Sequence, residues 1–156
     1  MSKRLLVAFD DSDNASRGIT FIKNYFQRDM QITLFSVIQD TASVCNMNSP
    51  SLTPYFKDKQ SAFCALEDMK KQLLNDSLAQ ARKSLEEAGF DGERIMTKVV
   101  SEKKGVAGPI IEEAADGYDT LMIGMKGHSA LEAFFMGSIT LKVVNSAKEV
   151  NIVLVR

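Results

Sequence analysis

Short continuous apolar runs alternate along this chain with longer stretches in which apolar residues recur every three or four positions. The first run, residues 3–9 (KRLLVAF), stops at Asp10-Asp11. It reads as a strand buried on both faces, as in a parallel sheet. Ser12, Asp13 and Asn14 are all good helix N-caps, and Ala15, Ile19, Ile22 and Phe26 then mark the buried face of a helix reaching about residue 27. Residues 31–38 (QITLFSVI) make a second strand. The polar connection 39–58, with Pro50 and Pro54, is too long for a turn; its length suits a lid, a binding loop or a disordered segment, and a mobile one is expected.

A long helix is predicted over 60–88, with Leu66, Met69, Leu73, Leu74, Leu78, Ala81, Leu85 and Ala88 as its stripe and Gly89 as its C′ residue. Residues 94–100 form a third strand, and Lys98 in its middle is typical of an edge. Pro109 suits the first turn of a helix that runs to Asp116 and stops at Gly117. Residues 119–123 (DTLMI) are a fourth, fully buried strand, followed by a loop over 124–136. Gly137-Ser138 opens a last helix to about residue 147, and residues 150–155 (VNIVLV) form the fifth strand.

Strict alternation of this kind predicts an α/β fold: one doubly wound domain over residues 1–156, with a parallel sheet and helices on both faces. Ligands of such sheets bind beyond the carboxyl ends of the strands, where the winding direction reverses. Asp10-Asp11-Ser12 and the glycine loop after strand four both fall there.

Composition narrows the function classes. The chain carries 25% charged and 45% hydrophobic residues, with a net charge of -1, so no basic excess favours nucleic acid or an anionic membrane. No stretch is long enough to span a bilayer, and the apolar run ending at Phe9 is too short for a signal-peptide core. A cytoplasmic protein is therefore expected. Cys45 and Cys64 have neither metal nor redox-motif spacing and are expected to be two free thiols in a reducing compartment.

The glycine loop reads Gly124-Met125-Lys126-Gly127-His128-Ser129, then seven residues, then Gly137-Ser138. Glycines directly after a buried strand let the backbone turn tightly and approach a ligand closely. Gly137-Ser138 stands where a helix begins, so free N–H groups and the helix dipole favour a phosphate. The Ser138 hydroxyl can donate to a phosphate oxygen, and Lys126 and His128 can add positive charge or hydrogen bonds. Taken on mechanism alone, a turn with Ser138 as a simple cap competes evenly with phosphate binding.

The pattern G-x2-G-x9-G-[S/T], inside strand–loop–helix–strand near the end of the chain, resembles the universal stress protein family. The apolar strand followed by Asp10-Asp11-Ser12 resembles that family's Asp-x-Ser start. The resemblance spans nearly the whole chain in element order. It implies an adenine nucleotide alpha hydrolase-like sheet of five strands in the order 3-2-1-4-5, and binding of ATP (or ADP or AMP) with Mg²⁺. By position, it implies Gly124 and Gly127 at the ribose and first phosphate. Gly137, Ser138 and the N–H of Ile139 would hold the outer phosphates, Asp10 would lie near the ribose or metal, and Val37 would offer backbone groups to adenine. The chain departs from the family pattern at Met125 and Lys126, at Asp11 where glycine is frequent, and at Asn151 where proline is common.

Other chemistry finds no support. Gly127-His128-Ser129-Ala130-Leu131 lacks the final glycine of a nucleophile elbow, and His128 is the only histidine. There is no P-loop, no dinucleotide fingerprint after strand one and no zinc spacing. A phosphoryl-accepting receiver, suggested by Asp10-Asp11, would need an aspartate at the end of strand three, where Val99-Val100-Ser101-Glu102 stands. No residue is an evident general base for water, so a nucleotide-dependent regulator with little or no turnover is expected. A nucleotide-free interaction module and a slow ATPase or phosphotransfer enzyme are its rivals. In the implied strand order the last strand is an edge without a gatekeeper charge, so a homodimer through residues 150–155 is expected.

Overall fold

The structure is a computed structural model that describes residues 2–10, 12–125 and 136–156. Among these residues the elements run β1 (Arg4–Ala8), α1 (Asp13–Tyr25), β2 (Gln31–Gln39), α2 (Ala42–Cys45), α3 (Pro54–Glu87), β3 (Ile95–Glu102), α4 (Ala107–Ala114), β4 (Thr120–Gly124), α5 (Ser138–Ser146) and β5 (Asn151–Val155). The strands form one parallel sheet in the order β3-β2-β1-β4-β5. The doubly wound α/β fold and its strand order are thus as expected.

Chain direction decides which face each helix covers. The chain steps outward from β1 through β2 to β3, then jumps back to β4 and outward to β5. Right-handed crossovers therefore put α1 and α3 on one face and α4 and α5 on the other. The side chains of β1 alternate accordingly. Leu5 and Val7 join a core cluster with Ile19 and Ile22 of α1 and Leu78, Ala81 and Leu85 of α3. Leu6 joins the opposite cluster with Ile110 and Ala114 of α4 and Val143 of α5. The winding reverses between β1 and β4. Lys98 does lie in an edge strand, β3.

Three local expectations need correction. The long helix starts at Pro54, because Thr53 caps it, accepting from the Phe56 N–H at 3.2 Å, and proline fits the first turn, where its missing N–H costs nothing. The connection after β2 is correspondingly shorter and contains the single turn α2.

The apolar stripe of α3 is also not one stripe. Leu74, Leu78, Ala81 and Leu85 pack on the core, whereas Leu66, Met69 and Leu73 are 50%, 60% and 54% exposed. At about 100° per residue, the face that continues the buried one passes through Gln60, Cys64, Glu67 and Lys71. All four are half-buried.

Finally, Cys45 and Cys64 are joined in a disulfide and are not free thiols. Sequence spacing carries no sign of this pairing. It arises because α2 folds back against α3, bringing Cα atoms 19 residues apart to 5.9 Å.

Candidate functional site

The chain after β1 makes a tight local turn. The Ser12 N–H donates to Asp10 Oδ1 at 3.0 Å, and Ser12 Oγ in turn caps α1 by accepting from the Ala15 N–H. A carboxylate and a helix N-terminus are thereby held together beyond the strand end. β2 runs on for residues 36–39 past its last register with β1, Ala8 opposite Phe35. Ser36 Oγ donates to the Phe9 carbonyl at 2.6 Å and ties the two strand ends. Val37 lies in this extension, half-buried and opposite Val100 of β3.

On the other side of the switch, Gly124 is the last residue of β4, opposite Val155 of β5. The Met125 N–H donates to the Val155 carbonyl at 2.7 Å, and the Gly137 N–H donates to the Met125 carbonyl at 2.9 Å. The Thr140 hydroxyl donates to the Gly124 carbonyl at 2.7 Å from a buried position. Together these bonds dock the N-terminus of α5 directly onto the end of β4. Gly137 caps α5 with φ -59° and ψ 148°, its carbonyl accepting from the Leu141 N–H. Ser138 and Ile139 are exposed in the first turn, which contains no acidic residue. Backbone N–H groups of a first turn have no partner within the helix, so they and the dipole favour an anion.

The structure therefore brings Gly124, Gly137, Ser138 and Ile139 together at the carboxyl end of β4. It sets Asp10 at the end of neighbouring β1 and Val37 one strand further out. Lys126, Gly127 and His128 lie outside the described residues, as does Asp11. Sequence reasoning missed Ser36 and Thr140. Each is a hydroxyl within an otherwise apolar pattern, a faint signal that a buried polar group must have a local acceptor. Among the described residues, no group of three or more His, Cys, Asp or Glu gathers as a metal cage.

A cleft of about 370 Å³ between α1 and α3 reaches the end of β1, lined by Phe9, Ser12, Ser16, Thr20, Lys23 and Ser84 among others. Lys23 Nζ there donates to Ser84 Oγ at 3.0 Å.

A doubly wound parallel sheet with a helix N-terminus docked at the β1/β4 switch defines a class of α/β proteins that take ligands at the strand ends. Within that class, the model of the universal stress protein family matches residues 1–156, and this chain belongs to that family. Solved structures agree in fold. The universal stress protein UspA from Lactobacillus plantarum is 23% identical, with a TM-score of 0.71 over 99% of this chain and 97% of its own. A universal stress protein from Archaeoglobus fulgidus is 16% identical, with a TM-score of 0.65 over all of both chains. A universal stress protein solved in complex with cAMP is 15% identical, with a TM-score of 0.62 over 99% of this chain and 96% of its own. Searching curated proteins by sequence yields no match. Among the described residues, no helix is long and apolar enough to cross a membrane.

Proposed function

We propose that this chain binds an adenine nucleotide, ATP above all, at the β1/β4 switch, and acts as a nucleotide-dependent regulator in the cytoplasm. The observation that carries the reading is the docking of the α5 N-terminus on the end of β4 through Thr140 and Gly137. First-turn N–H groups held at a strand end favour an anion, which supports a phosphate there. The cAMP complex of a relative supports the nucleotide class. In this reading Gly124 and Gly127 flank the ribose and first phosphate, and Gly137, Ser138 and the Ile139 N–H hold the outer phosphates. Lys126 and His128 add charge, Asp10 lies near the ribose or metal, and Val37 meets adenine. Mg²⁺ would come with the nucleotide, held mainly by phosphates and water, with Asp10 the carboxylate on hand. No residue of the sequence is an evident general base for water, so little or no turnover is expected in this reading.

Gly137→Val tests this cleanly. The φ and ψ of Gly137 suit any residue, so valine adds a side chain at the proposed phosphate position without backbone strain. ATP affinity by calorimetry should fall at least about tenfold, or 1.4 kcal/mol, with the circular dichroism unchanged. Unaltered affinity would overturn the pocket. Mass spectrometry of small molecules released from freshly purified, denatured protein should find an adenine nucleotide; none there and no ATP binding would favour the interaction module.

A further inference from the structure

We infer that Cys45–Cys64 is a reversible redox clasp, a thiol–disulfide modification site that decides whether the connection between β2 and α3 is docked or free. The disulfide is one of few things holding that connection. Helix α2 has no buried residue, and the side chain at its N-terminus that bonds its backbone is Asp40, whose Oδ1 accepts from the Ala42 N–H at 2.9 Å. Apart from the disulfide, its link to α3 is the Gln60 amide, which donates to the carbonyls of Val44 at 2.5 Å and Met47 at 2.9 Å.

The part of α3 beneath contributes no buried residue to the core. The core cluster takes its α3 side chains from Leu74 onward, while Phe56, Phe63, Leu66, Met69 and Leu73 are exposed. A segment with so few buried contacts opens locally at low cost, and a covalent link then dominates its order. Both cysteines are half-buried and neither belongs to a core cluster, so the pair lies where a thiolate can approach from solvent. The clasp rests on the cytoplasmic reading proposed above: in a reducing compartment, disulfides are usually transient and catalytic or redox-sensing.

The exchange is balanced by a dithiol reductant. One reductant thiolate attacks a sulfur of the pair, the S–S bond breaks, and a mixed disulfide forms. The second reductant thiol displaces the protein sulfur and closes the reductant's own disulfide. Two electrons end on Cys45 and Cys64, and their two protons come from the reductant thiols.

Amide hydrogen exchange of the purified chain tests the clasp, with dithiothreitol or oxidised glutathione as probe and alkylation mass to count thiols. In the oxidised protein, the Val44, Cys45, Asn46 and Met47 amides, each bonded within the turn, should be protected. Reduction should speed their exchange at least tenfold and release two alkylatable thiols, while β1 amides stay unchanged. Oxidised glutathione should restore both states. Cys45→Ser should exchange fast under either condition. The proposal is overturned by unchanged exchange once both thiols are alkylated. It is equally overturned by a native protein that dithiothreitol does not reduce, or by thiols that glutathione does not rejoin.

Discussion

Tyr118 is the residue where protonation and packing meet most directly. Its side chain is buried, its hydroxyl is 3.1 Å from Thr33 Oγ1 and 2.9 Å from Glu113 Oε1, and the Arg4 guanidinium lies over its ring. Burial raises its pKa above the usual 10.0. Lys98, whose ammonium donates to the same Glu113 carboxylate, is raised above 10.5 chiefly by that hydrogen bond. Both groups hold their proton more tightly folded than unfolded. Their contributions are complete below the ordinary values and are lost as pH climbs through the raised ones. Urea midpoints should therefore fall from about pH 10 upward. Tyr118→Phe should cost about 1 kcal/mol at neutral pH, through the partners it strands, yet show a shallower alkaline decline. An equally steep decline in that variant would refute the assignment. None of this was legible in the sequence, because Thr33, Glu113 and Tyr118 come from different elements and the cluster exists only once the sheet forms.

At the scale of elements, α3 holds the sharpest contrast. Leu85 is fully buried, so Leu85→Ala should lose about 2–5 kcal/mol of transfer and cavity energy in denaturant unfolding. Leu66 belongs to the same predicted stripe but lies about 100° round the helix from Leu85 and is half exposed, so Leu66→Ala should change stability by less than about 0.5 kcal/mol. Comparable losses at both sites would mean that the first half of α3 is packed. Periodicity found this helix, its Gly89 stop and its last three turns, since those depend on local spacing and capping. It merged two faces into one stripe, because apolar spacing alone does not say which face packing will bury. The same holds for the disulfide: nothing local to Cys45 or Cys64 reports that α2 folds back.

For the whole molecule, β5 stands at one edge of the sheet. Ile152 and Val153 are half-buried and Leu154 is 41% exposed in a strand that, among the described residues, pairs on one side only, with β4. An apolar edge of this kind templates pairing with another chain. We expect light scattering at micromolar concentration to give a dimer, and Leu154→Lys to weaken it by placing a charge at the seam. A wild-type monomer would remove the β5 interface from consideration.

What the amino-acid sequence determined by itself, beyond the strand order that its family resemblance implied, was the order and kind of the elements and the glycine-flanked helix start after β4. Each follows from spacing, capping and chain handedness, which act over a few residues or one crossover. Only the folded chain decided that Thr140 and Ser36 pin the strand ends, that half of α3 stands clear of the core, and that two cysteines meet. Those outcomes depend on which distant segments the sheet brings within hydrogen-bond or bonding distance, and spacing along the chain does not encode that distance.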